Sequence, residues 1–321
     1  MAWCLLQCAK INAESGLGPV MPWCKVYKPN YKPNYKPIEI DATGEPSARG
    51  WQAELSLMFQ ADDRGRTILS HCRHSGPLQV QRPFYPEPAS GACHVYILHP
   101  PGGIVGGDGL RVQTLLQGKA RVLLTTPAAG KFYRSAGGEA QLVQRFKVAS
   151  DAVLEWLPQE NIFYKGARVR ATTHIDVQDR GCYIGWEIGC LGRPASGEFF
   201  SQGICRQNLE IWRAGEPLFL EHGRFEGGGE LLEAAWGLHG NPVFGTLVCV
   251  SPISGLDVRV RDAVTVSSGD GFAVTQMDGV LVCRYLGNSA QKARILFTQA
   301  WAVLRPLVIG IPACAPRIWN V

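Results

Sequence analysis

The chain has 321 residues, enough to bury a large core, and its 18% charged and 46% hydrophobic residues are those of a folded protein, not a disordered one. A net charge of +5, with basic residues spread along the chain, argues against nucleic-acid binding. There is no run of about twenty apolar residues, so no membrane-spanning helix is expected.

Residues 1–49 differ from the rest. Tyr27-Lys-Pro-Asn, Tyr31-Lys-Pro-Asn and Tyr35-Lys-Pro form a short repeat, and proline at every fourth position blocks helix and central strand alike. A flexible N-terminal extension over 1–49 is therefore expected, followed by one β domain over 50–321. Met1 to Lys10 has no basic n-region and too short an apolar part for a secretory signal. Eleven scattered cysteines without a Cys-x-x-Cys pair suit a reducing compartment, and the cytoplasm is expected.

From Trp51 the dominant period is two. Strands are expected from Ala53 to Phe59 and from Val95 to Leu98, then at Leu110 to Leu116, Ala120 to Thr126, Gln141 to Val148 and Ala152 to Leu157. The stretch from Arg168 to Val177 alternates most clearly, with Val169, Ala171, Thr173, Ile175 and Val177 on one side. Further strands are expected at Cys182 to Ile188, Gln207 to Trp212, Leu218 to Arg224, Thr246 to Val250, Asp257 to Val260, Phe272 to Met277 and Val280 to Tyr285. Two segments have a helical pattern: Glu230 to Gly237, and Ser289 to Arg305 with a capping serine and Pro306 as its stop. No βαβ alternation is present, so the fold class is mainly β: stacked or helically wound sheets with a small helical piece near the C-terminus.

The stretch from His99 to Ser135 holds glycines 102, 103, 106, 107 and 109, with Asp108 among them. It is not a phosphate loop. Gly130-Lys131 is followed by Phe132 and not by Ser or Thr, and the glycines sit between strands instead of opening a helix. Something about backbone shape is at stake there.

The chemistry-bearing residues are sparse. His71-Cys72-Arg73-His74 and Cys93-His94 offer soft ligands, yet neither has a neighbouring pair to complete a metal site. There is no Gly-x-Ser-x-Gly elbow. Glu155 and Glu160 lie on apolar-aromatic segments, where an ionised group is costly unless paired or wetted, and Glu187 and Glu198 flank Arg193. Three readings follow: an acid/base couple of Glu155 and Glu160, ion pairing inside a sheet, or carboxylates lining a wet internal passage for a divalent cation. The C-terminal Pro-Arg-Ile-Trp is a tail holding a buried tryptophan or a partner anchor.

HPPGGIVGGDGL, TTPAAGKFYRS, LEWLPQENIFYKGA, LGRPASGEFF, VFGTL and the ending LRP…PRIW resemble, in order and spacing, the blocks of the urease accessory protein family called UreD or UreH. Gly130 departs from the family pattern, which has Thr there, and Ile311 stands where a basic residue is usual. The resemblance implies a β-helical arrangement and a non-enzymatic scaffold. Such a scaffold binds the urease apoprotein and recruits the accessory proteins UreF and UreG, a GTPase, for nickel insertion after the bridging lysine is carbamylated. It implies no tightly bound cofactor, transient Ni²⁺ only, and Asp108, Glu155, Glu160, Glu187 and Glu198 as candidates for a nickel passage. The alternative is a β-solenoid carbohydrate-active enzyme using the Glu155/Glu160 pair.

Overall fold

Alternating burial along Arg168–Val177, with every second residue inside, is what a strand makes when one face meets a core and the other meets water. The computed structural model describes residues 50–266 and 269–320, so the expected extension over 1–49 lies outside the described residues. Seven strands form a first sheet, in the order Glu216–Glu226, Ile204–Arg213, Arg168–Val177, Ala140–Val148, Gly109–Leu116, Gln52–Ala61 and Thr67–Ser75. The second sheet runs Gly271–Met277, Val280–Gly287, Val243–Val250, Cys182–Arg193, Val153–Trp156, Arg121–Thr125, Cys93–Leu98 and Gln79–Val80.

The chain alternates between them. Gly109–Leu116 lies in the first sheet, Arg121–Thr125 in the second, Ala140–Val148 in the first and Val153–Trp156 in the second. Successive strands within each sheet are therefore parallel, each crossover being a strand of the other sheet, where most parallel folds use a helix. A short third ribbon pairs Gly130–Phe132 with Asn161–Phe163 and then with Gly189, Cys190 and Leu191 of the long strand. The result is a β-solenoid finished by antiparallel strands at its ends.

Two cores follow from this layering. Leu55, Val112, Phe146, Val169 and Trp156 meet between the sheets. Ile184, Trp186, Ile188, Leu247 and Cys283, on the outer face of the second sheet, pack against helix Ala290–Ile309 through Phe297, Trp301 and Leu304. No helix among the described residues is long and apolar enough to cross a membrane.

Three local expectations are corrected. Asp257 to Val260 is not a strand but part of helix Leu256–Ala263, where Leu256 and Val260, four apart, are buried and Val258 is exposed. Strand spacing would have put Val258 and Val260 on one face, whereas helical spacing puts Leu256 over Val260; Gln276 Oε1 accepts the Leu256 N–H at 2.8 Å and caps the turn. Pro306 does not stop the last helix, which runs to Ile309 and ends at Gly310 in the left-handed region, with Gly310 N–H donating to the Pro306 carbonyl. Proline removes one donor, and the final turn is held by its remaining bonds. Glu230 to Gly237 shrinks to the single turn Glu230–Glu233, because Ala234 is extended and Gly229 provides no side-chain cap.

Candidate functional site

Inward-facing positions of the first sheet are apolar with a few exceptions, and the exceptions cluster. Gln144 and Thr173 are direct neighbours across Ala140–Val148 and Arg168–Val177, and Gln207 lies on the next strand. Thr173 and Gln207 meet Glu187, which the long strand Cys182–Arg193 presents from the opposite sheet, and Gln144 meets Thr173. The Thr173 hydroxyl lies 2.9 Å from Gln144 Oε1 and also contacts Glu187 Oε1, while Gln207 Nε2 donates to Glu187 Oε2 at 2.7 Å. Glu187 is 8% exposed.

This carboxyl lines two cavities. One, of about 190 Å³, is lined by Gly102, Ile104, Lys131, Gln144, Trp156 and Glu187 among others. The other, of about 50 Å³, is lined by Glu187, Gln207, Glu221 and Thr246 among others. Both exceed the roughly 10–15 Å³ that one water needs. Two buried polar atoms of lining residues, Trp156 Nε1 and Gln207 Oε1, have no protein partner. Unpaired buried polar groups are costly unless something wet or polar occupies the space beside them.

Burial pushes the Glu187 carboxyl up to about 7, against the hydrogen bonds from Thr173 and Gln207. Its folded value lies above its unfolded value of 4.5, so its stabilising contribution is complete below that value and is lost as pH rises through about 7. The denaturation midpoint is expected to fall between about pH 5 and pH 8, and Glu187→Gln is expected to flatten that fall. An unchanged slope in the variant would contradict the assignment.

The other four candidate carboxylates sit elsewhere. Asp108 accepts from Trp51 N at 2.8 Å and Val105 N at 2.9 Å, so it ties down the glycine loop. Glu198 pairs with Arg193 and accepts from Lys165 N. Glu160 lies 3.8 Å from Arg294. Glu155 faces the helix side of the second sheet, where it accepts from Trp301 Nε1 at 2.6 Å and from Arg305 Nε at 2.8 Å. With both Glu155 oxygens engaged by Arg305 and Glu160 beside Arg294, the two do not form an acid/base couple. No group of three or more His, Cys, Asp or Glu residues among the described ones is placed to hold a metal ion.

Sequence reasoning missed a second cluster. Arg305 is fully buried and forks onto Glu87 at 2.7 and 2.8 Å while its Nε reaches Glu155; Glu87 also meets His94 Nε2 at 2.8 Å. The signal was an arginine inside an apolar helical stripe, where an unpaired charge is not tolerated. Gln144 and Gln207 could have been found similarly, as polar residues at inward positions of alternating strands.

The sequence model of the family described as UreD urease accessory protein matches residues 52–320. The chain belongs to this family. Among UreD proteins, "Urease accessory protein UreD" of Azoarcus sp. (strain BH72) is 46% identical over 275 residues, covering 84% of this chain and 94% of the relative. "Urease accessory protein UreD 2" of Brucella anthropi is 43% identical over 271 residues, covering 84% and 98%. The UreD protein of Citrobacter koseri is 42% identical over 272 residues, covering 85% and 92%. The Glu187 cavities and the Arg305 cluster both fall within the matched segment.

Proposed function

We propose that this chain acts in urease maturation as a scaffold that binds the urease apoprotein together with UreF and the GTPase UreG, and that Ni²⁺ is handed on through the interior past Glu187. The observation that carries the second part is Glu187 itself, one carboxyl lining two cavities, in contact with the Thr173 hydroxyl and the Gln207 amide, with Gln144 behind Thr173. At Glu187 itself, one carboxyl beside a hydroxyl and an amide is a weak set for a borderline metal, with His99 and Glu221 on the cavity walls but not in its hydrogen-bonded group. Weak holding is what a passage needs, because a cation that is gripped is not delivered. The GTP chemistry belongs to the partner in this account, in keeping with the glycine loop, whose Asp108 and backbone are engaged with each other.

The test is urease activity in cells carrying the structural and other accessory genes, with nickel supplied, with and without this chain in the cytoplasm. Activity is expected to depend on the chain. Equal activity without it would refute the reading.

A further inference from the structure

Three of the sequence blocks singled out above, Phe132 to Ser135, Ile162 to Gly166 and Leu191 to Phe200, have no part in the cavity chemistry, yet they meet at one end of the third ribbon. Phe132, Phe163 and Leu191 are register partners there, and Tyr133, Tyr164 and Arg193 follow them out of the core. The rings of Tyr133 and Tyr164 lie 4.8 Å apart, and the Arg193 guanidinium sits 4.8 Å over the Tyr164 ring. Arg193 is also fixed by Glu198, which accepts the Lys165 N–H. Next to it Phe199 is 70% exposed, and Tyr133 is 40% exposed.

The backbone is shaped to hold this arrangement. A Cβ on Gly103 would lie 1.9 Å from the Tyr133 ring, so the glycine loop is the bed on which that ring rests. Gly192 has φ +82°, and a Cβ there would meet the Glu198 carbonyl at 2.4 Å. Exposed aromatic rings and an arginine held in place before any contact are the composition of an interface centre, since little freedom remains to be lost on binding.

Charge narrows the partner. Arg134, which lies along Gly166, and Lys165 make no ion pair among the described residues, and Arg193 is paired with Glu198, so this face carries more cations than paired carboxylates. A second copy docking through the same face would set these cations against each other. We propose that the surface of Tyr133, Tyr164, Arg193 and Phe199 docks a protein partner whose contacting face is acidic and carries apolar side chains. Gly102, Ile104 and Lys131, which line the larger cavity, adjoin Gly103 and Tyr133 in the chain, so the partner docks on a segment that also forms part of the cavity wall. The inference rests on the maturation reading only in the choice of proteins for its test.

That test is co-purification of UreF, UreG and the urease subunits with the tagged full chain. Phe199→Ser and Arg134→Glu change exposed side chains, and each is expected to reduce the retained amount of one partner at least about tenfold while the melting temperature stays at the wild-type value. Gly103→Ala, which displaces Tyr133, is expected to do the same. Glu187→Gln is expected to keep every partner, so a failed passage and a failed docking surface give different results. Wild-type capture by both Phe199→Ser and Arg134→Glu overturns the proposal, as does a loss confined to self-association or to bound nucleic acid.

Discussion

Arg305→Ala is expected to destabilise the chain by about 3–5 kcal/mol, read as a lower midpoint in chemical denaturation. The guanidinium is fully buried and serves two carboxylates at once, Glu87 through its fork and Glu155 through Nε. Removing it leaves two negative charges in a space with little water. The change is therefore far more harmful than the loss of an exposed ion pair such as Arg180–Asp151, for which roughly 0–1 kcal/mol is normal. Replacing the whole triad, with Glu87→Gln, Glu155→Gln and Arg305→Met together, is expected to recover most of the loss, because no charge is then stranded.

Acid provides a second reading of the same cluster. Burial alone would raise the Glu87 carboxyl, but hydrogen bonds from His94 and Arg305 outweigh it and hold the group at about 2. Its folded value lies below its unfolded value of 4.5, so its contribution is complete above that value and is lost as pH falls toward about 2. Arg305→Ala should move that loss to higher pH. A variant with wild-type stability and acid midpoint would show that the cluster does not hold the helix.

Glu187→Gln is expected to lower urease activation at limiting nickel at least about tenfold, the effect of about 1.4 kcal/mol on a passage step. The amide keeps the size of the side chain and can still meet Thr173 and Gln207, so the fold should persist. What it loses is the ionisable carboxyl that lines both cavities. Thr173→Val, which removes a contact and no charge, should have a smaller effect. Nickel bound per urease, measured alongside activity, separates poor delivery from a damaged enzyme. Full activation by Glu187→Gln at limiting nickel would end the passage reading.

The strands could be read in the sequence because one face of each meets a core: the alternation from Arg168 to Val177 predicts the observed strand to the residue. Which strands pair could not be read this way. Val169 lies beside Ala140 on one side and Cys205 on the other, contacts set by the solenoid's turn and not by local propensity. The short segment Asp257 to Val260 failed because Asp-Val-Arg-Val satisfies both periods, and only the contacts of Leu256 and Val260 decide between them. Glu155 stands out in the sequence for its apolar-aromatic setting, a sound rule for finding buried acids that does not say what faces them, whereas Glu187 stands out only for flanking Arg193. Both are buried, and one faces Arg305 while the other faces a cavity. The glycine loop raised the right question about shape, but its answer, a ring resting on Gly103 and a hydroxyl of Ser135 against Gly106, lies some thirty residues further along.

Helix Ala290–Ile309 covers the outer face of the second sheet and is locked by an arginine whose partners are residues 87 and 155. During synthesis those partners, and the apolar surface of Ile184, Trp186, Ile188 and Leu247, are made long before the helix that shields them. The newborn chain must therefore carry an uncovered greasy sheet until helix Ala290–Ile309 has left the ribosome, a window in which association with another nascent chain competes with completion. Any truncation ahead of Trp301 would make that window permanent.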